Sequence, residues 1–158
     1  MSSRPDAKEA RAHKLIRKIL VATDGSEHAQ RALYYAEESA LNWNSELIII
    51  SVVPPISSLL LPTPGFNIKK YISELENAYQ NVLIEAEEHV KRESPEIKTS
   101  TQLGKGRPAD IIIEIAEKEN VDLIVMGSRG YGSITGWILG STSRHVVEHC
   151  TKPILIIK

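Results

Sequence analysis

The chain has 158 residues, 42% hydrophobic and 25% charged, with a formal net charge of -1. That length fits one domain able to bury its own core, and the near-neutral balance gives no overall attraction to nucleic acid or to an acidic membrane. The lone cysteine, Cys150, excludes an intrachain disulfide, and the longest apolar run, Leu47 to Val53, falls far short of the ~20 residues of a membrane helix, so a cytoplasmic location is expected.

In chain order, residues 1–17 form a leader in which Arg4, Lys8, Arg11, Lys14 and Arg17 outnumber Asp6 and Glu9. It reads as a solvated, partly helical tail, because a nucleic-acid or membrane arm would want aromatic residues and denser charge. The domain proper is expected over 18–158. Ile19 to Ala22 is a short continuous apolar run, as in a strand covered on both faces. Thr23-Asp24-Gly25-Ser26 ends it, and Ser26 is placed to cap a helix carrying Ala29, Ala32, Leu33, Ala36 and Ala40 on one face. Leu47 to Val53 reads as a second strand, closed by Pro54-Pro55. A Pro-, Ser- and Leu-rich loop runs to about Asn67, and Ile68 to Val90 carries the apolar stripe of a long amphipathic helix. Ile97 to Leu103 reads as a third strand, less apolar and hence nearer an edge. Pro108 suits the first turn of a third helix that Asn120 ends. Leu123 to Met126 is a fourth strand, a Gly-rich loop leads to a helix over Ser141 to Cys150, and Ile154 to Ile157 is the last strand.

Strands alternating with helices select an α/β fold, a parallel doubly wound sheet with helices on both faces. Five such strands in the order 3-2-1-4-5 reverse their winding between the first and the fourth, and ligands bind beyond the carboxyl ends at that switch. Ala22, Thr23 and Asp24 are thereby expected beside Met126 and Gly127. The segment at this place is Gly127-Ser128-Arg129-Gly130, nine further residues, then Gly140-Ser141-Thr142. Glycines admit a close ligand, and exposed amides beside a helix start make an anion site, with a phosphate chain as its natural occupant. The bland alternative is that the glycines only punctuate a loop. No Lys follows the last glycine, so this is not a Walker A loop, and Thr-Asp-Gly-Ser stands where a dinucleotide fingerprint would open.

On Gly127, Gly130, Gly140 and Ser141, which fill the pattern G-x2-G-x9-G-[ST], the chain resembles the ATP-binding subgroup of the universal stress proteins. The segments ILVATDGSE, VDLIVMGSRG and KPILIIK carry the same likeness, which spans Lys18 to Lys158. The resemblance implies a Rossmann-like fold of the adenine nucleotide alpha hydrolase type and a bound ATP or AMP, with magnesium or manganese held through the phosphates. It implies that Asp24 meets the ribose or a phosphate-bound metal, although a helix start would use that carboxylate equally well. Ala22 and Val52 would border the adenine, with Val52 offering backbone groups, and Met126 would pack on the nucleoside. Gly127, Arg129, Gly130, Gly140, Ser141 and Thr142 would surround the phosphates, the Arg129 charge favouring ATP. The last strand, apolar on both faces, leaves an edge that a homodimer through 153–158 would cover.

Other candidates weigh less. His145 and His149 are four apart but lack a third metal ligand, and Cys150 reads as a core or near-surface thiol. Tyr131 and Trp137 read as packing or as a cover over the phosphates. The expected function is nucleotide-dependent regulation or partner binding, without nucleic acid or membrane. The rival is a slow ATP hydrolase or phosphotransferase, which lacks a phosphate-gripping lysine and a poised base here.

Overall fold

The computed structural model describes residues 16–56, 66–130 and 139–158. Most of the leader, most of the proline-rich segment after Val53, and Tyr131 and Trp137 lie outside the described residues. Among the described residues the chain forms β1 (Lys18–Ala22), α1 (Glu27–Trp43), β2 (Glu46–Val53), α2 (Ile68–Glu93), β3 (Thr99–Lys105), α3 (Pro108–Lys118), β4 (Leu123–Gly127), α4 (Ser141–His149) and β5 (Ile154–Ile157).

Local chemistry explains the boundaries. The Ser26 hydroxyl oxygen accepts from Ala29 N–H at 3.4 Å and starts α1, and Asn44 closes it at φ 53°. The Asn67 side chain accepts from Lys70 N–H at 3.1 Å and starts α2. Pro108 stands in the first turn of α3, where its missing N–H leaves nothing unpaired. Asn120, at φ 49°, turns the chain out of that helix toward β4.

The sheet is parallel throughout, in the order β3-β2-β1-β4-β5. Alternate side chains feed two separate cores. On one face Ile19, Val21, Leu47, Ile49 and Val125 pack against Ala32, Ala36 and Ala40 of α1 and Leu83, Ala86 and Val90 of α2. On the other, Leu20, Ile48, Ile50, Ile124 and Met126 pack against Ala109, Ile112 and Ala116 of α3 and Val146 of α4. Each fully buried Ile, Leu or Val contributes roughly 1.5–3 kcal/mol. The alanine row on α1 allows that helix to lie close to the central strands.

The third strand begins two residues later than the apolar pattern predicts. Ile97 N–H donates to Ser94 C=O at 3.0 Å in a turn, while its side chain is buried in the α1–α2 core. Its hydrophobicity reports a core plug beneath the strand, not the strand itself. The edge placement of β3 follows the prediction. Among the described residues no helix is long and apolar enough to cross a membrane.

Candidate functional site

Ala22 of β1 pairs in register with Met126 of β4, and beyond that pair the two chains part. Thr23 N–H donates to Ile50 C=O at 2.9 Å, which draws the chain after β1 toward β2. Ser128 N–H donates to Ile157 C=O at 2.7 Å, which draws the chain after β4 toward β5. A crevice opens between them at the switch in winding. Val52 lies on its far side. In β2 the carbonyls of Ile50 and Val53 accept from opposite neighbours, Thr23 and Gly106. The alternation of a parallel ladder then turns the Val52 backbone groups to the β1 side, where β1 has ended.

Asp24 spans the crevice mouth. Its Oδ1 accepts from Ser26 N–H at 2.9 Å, the helix-start role. Its Oδ2 occupies the place a side chain on Gly130 would take, so Asp24 and Gly130 meet across the opening. Gly140 caps α4 with no side chain to satisfy the first amides of that helix, whereas Ser26 and Asn67 do so for α1 and α2. Ser141 and Thr142 follow it in the first turn, exposed and half-buried. The Arg129 Cα lies 3.5 Å from a Cβ built on Gly140. Ala22, Asp24, Met126, Gly127, Arg129, Gly130, Gly140, Ser141 and Thr142 thus gather around the end of β4, with Val52 opposite.

The two outer signature glycines differ in cause. A Cβ on Gly127 would lie 2.9 Å from the backbone carbon of His28, so the packing of α1 on β4 requires glycine there. Gly140 has φ -58°, open to any residue, and among the described residues a Cβ would meet nothing nearer than Ser128 O at 3.4 Å. The packing of the described residues leaves room for a side chain at 140. No turn strain accompanies this position.

Sequence reasoning passed over the residues that hold the loop. Ser128, 6% exposed, has every polar group engaged. Beyond its N–H bond to Ile157, its C=O accepts from Gly140 N–H at 2.8 Å and from the Ser143 hydroxyl at 2.9 Å. Its Oγ lies 3.1 Å from His28 Nδ1. Ser51, 1% exposed, donates to Thr23 C=O at 2.7 Å and fixes the turn after β1. A serine inside the run LIIISVV was a readable signal, since a buried hydroxyl needs a partner.

His145 and His149 stack at 4.0 Å between ring centroids, and His145 Nε2 lies 3.1 Å from Asp110 Oδ1. Among the described residues no group of three or more His, Cys, Asp or Glu is arranged to hold a metal ion. Cys150 is half-buried and packs against the α3–α4 core, as a core thiol.

A sequence model of the universal stress protein family matches residues 15–158. The chain belongs to the universal stress protein family. The universal stress protein MJ0577 of Methanocaldococcus jannaschii is 34% identical over 157 residues, covering 91% of this chain and 96% of that one. The structure of universal stress protein UspA from Lactobacillus plantarum matches with TM-score 0.76 and 26% identity, over 90% of this chain and 98% of that one. A universal stress protein solved in complex with cAMP matches with TM-score 0.69 and 27% identity, over 92% of this chain and 99% of that one. The universal stress protein core therefore accounts for nearly all of this chain.

Proposed function

We propose that this universal stress protein binds an adenine nucleotide, ATP or AMP, in the crevice between β1 and β4, and acts as a cytoplasmic regulatory or partner-binding module. Gly140 carries the reading. It caps a helix whose first amides take no side chain from the cap, and the packing of the described residues gives no reason for glycine there. A ligand phosphate that must touch the backbone supplies that reason. The cAMP held by a relative of the same fold supports an adenine nucleotide as the ligand class.

In this reading Gly127, Arg129, Gly130, Gly140, Ser141 and Thr142 surround the phosphates, and Met126 and Ala22 floor the nucleoside. Val52 offers its backbone to the base. Asp24 stands by the ribose, or by a magnesium or manganese ion that enters with the phosphates. The site belongs to a domain over 18–158, with 1–17 as its leader. Calorimetric titration with ATP tests the reading, together with mass analysis of any nucleotide released on denaturing the purified protein. Micromolar binding is expected; no heat with ATP, AMP or adenosine overturns it.

A homodimer through 153–158 completes the proposal. In β5 Pro153 and Ile157 accept from β4, so Ile156 N–H points outward along the free edge, where Leu155 is 37% exposed. Ile156→Pro removes that outward donor and leaves the β4 ladder its own bonds. Light scattering is expected to show a dimer for the parent and a monomer for the variant. A monomeric parent at micromolar concentration rejects the dimer.

A further inference from the structure

Among the described residues His28 holds its imidazole against the loop that follows β4. It stands in the first turn of α1 and is half-buried. Two independent contacts press it onto the start of the glycine loop. Its backbone fills the space beside Gly127, at 2.9 Å from where a Cβ would sit. Its Nδ1 lies 3.1 Å from Ser128 Oγ, a hydrogen bond in either imidazole tautomer because a hydroxyl both donates and accepts.

Ser128 is the joint of the loop. Its carbonyl receives Gly140 N–H at 2.8 Å and the Ser143 hydroxyl at 2.9 Å, and its amide is anchored to Ile157 at 2.7 Å. The two ends of the signature segment, residues 127 and 140, are therefore set relative to one another through this residue. The rotamer of Ser128 is in turn fixed by His28 from a different helix.

We propose, on the nucleotide-binding reading above, that His28 is a positioning residue: through Ser128 it sets the spacing between Gly127 and Gly140, and so the selectivity of the site for phosphate-bearing nucleotides over bare adenosine. It does so without touching the ligand. Backbone donors aimed at a phosphate lose strength steeply when misaligned, whereas the adenosine contacts at Ala22, Val52 and Met126 stand on rigid strands.

The test compares ATP and adenosine affinities by calorimetry in the full chain, for the parent and for His28→Leu, Ser128→Ala, the double variant and His28→Asn, with circular dichroism as the check on folding. His28→Leu and Ser128→Ala are each expected to weaken ATP about five- to tenfold while leaving adenosine within twofold. The double variant is expected to be no weaker than either single, since both break one bond. His28→Asn, whose amide stands where Nδ1 stood, is expected to recover ATP binding. Equal losses for ATP and adenosine, unchanged ATP affinity, additive losses or no rescue by asparagine would each overturn the role of His28 and leave nucleotide binding intact. If His28→Leu does not fold, Ser128→Ala and His28→Asn decide by the same criteria. A parent that binds neither ligand overturns the nucleotide reading and this role with it.

Discussion

The two rims of one sheet differ in how far the chain's own side chains answer its backbone. At the rim where strands begin, side chains answer the protein's own backbone. The Asp122 carboxylate accepts from Arg17 N–H at 2.7 Å and Lys18 N–H at 3.1 Å, Ser45 donates to Ile16 C=O at 2.7 Å, and Lys18 Nζ donates to Glu119 C=O at 3.0 Å. Toward the same end, the buried Glu37 of α1 accepts from the Ser94 hydroxyl at 2.5 Å and stands 3.3 Å from His89 Nε2, tying α1 to α2. At the rim where strands end, Val52 turns its backbone toward a crevice and α4 begins at a residue with no side chain. A helix start and a strand end each carry backbone groups that need partners. At the rim where strands begin those partners come from within the chain, whereas at the rim where strands end Ser26, Asn67 and Ser51 supply some of them and the start of α4 takes none from its cap.

That division predicts substitutions that separate binding from stability. The largest effect is expected for Gly140→Val, which places a branched side chain over the first amides of α4. Loss of two or three amide–phosphate bonds of about 1.5–3 kcal/mol each would weaken ATP about a hundredfold or more. The melting temperature is expected to stay near the parent's, because φ at Gly140 suits any residue. Calorimetry paired with thermal denaturation separates the two, and a folded variant with parental affinity would place the phosphates elsewhere.

The reverse is expected at the other rim. Asp122→Ala removes the acceptor of two backbone N–H groups and is expected to cost about 1–3 kcal/mol in urea denaturation. ATP affinity should not change. A loss of ATP binding in the folded variant would mean that the rims are coupled.

The smallest effect tests the surface at that same rim. Lys98 Nζ lies 2.5 Å from Glu46 Oε1, and this hydrogen bond, reinforced by the lysine charge, holds the Glu46 carboxyl below its usual value of 4.5. A lowered carboxyl in the folded state stabilises above the unfolded value and loses that contribution as pH falls through the folded one. Because the two side chains are 78% and 41% exposed, Lys98→Met is expected to cost at most about 0.5 kcal/mol at pH 7. The difference should shrink as pH falls through the lowered Glu46 value, and also in high salt. A gap that does not narrow in acid would mean that the lysine acts through packing.

The same contrast explains what was legible beforehand. Continuous apolar runs such as Ile19 to Ala22 and Leu123 to Met126 announced central strands, because strands covered on both faces need no polar alternation. The Ser26, Asn67, Pro108 and Asn120 boundaries were readable from local chemistry. Ile97 misled, since a side chain can serve the core from a turn as well as from a strand. The strand alternation put β1 beside β4, but His28 and Ser128 gave no local signal of their partnership. They are 100 residues apart, and only the β1–β4 pairing brings them together.

Among the described residues β1 is the first strand in the chain and the middle strand of the sheet, with β2 on one side and β4 on the other. Its contact with the start of β4, through Lys18 and Asp122, joins residues 104 apart in sequence. On a ribosome adding about 5–20 residues per second, that separation leaves the β4-facing flank of β1 without its partner for roughly 5–20 s. For that interval the most protected strand of the native protein is an open edge.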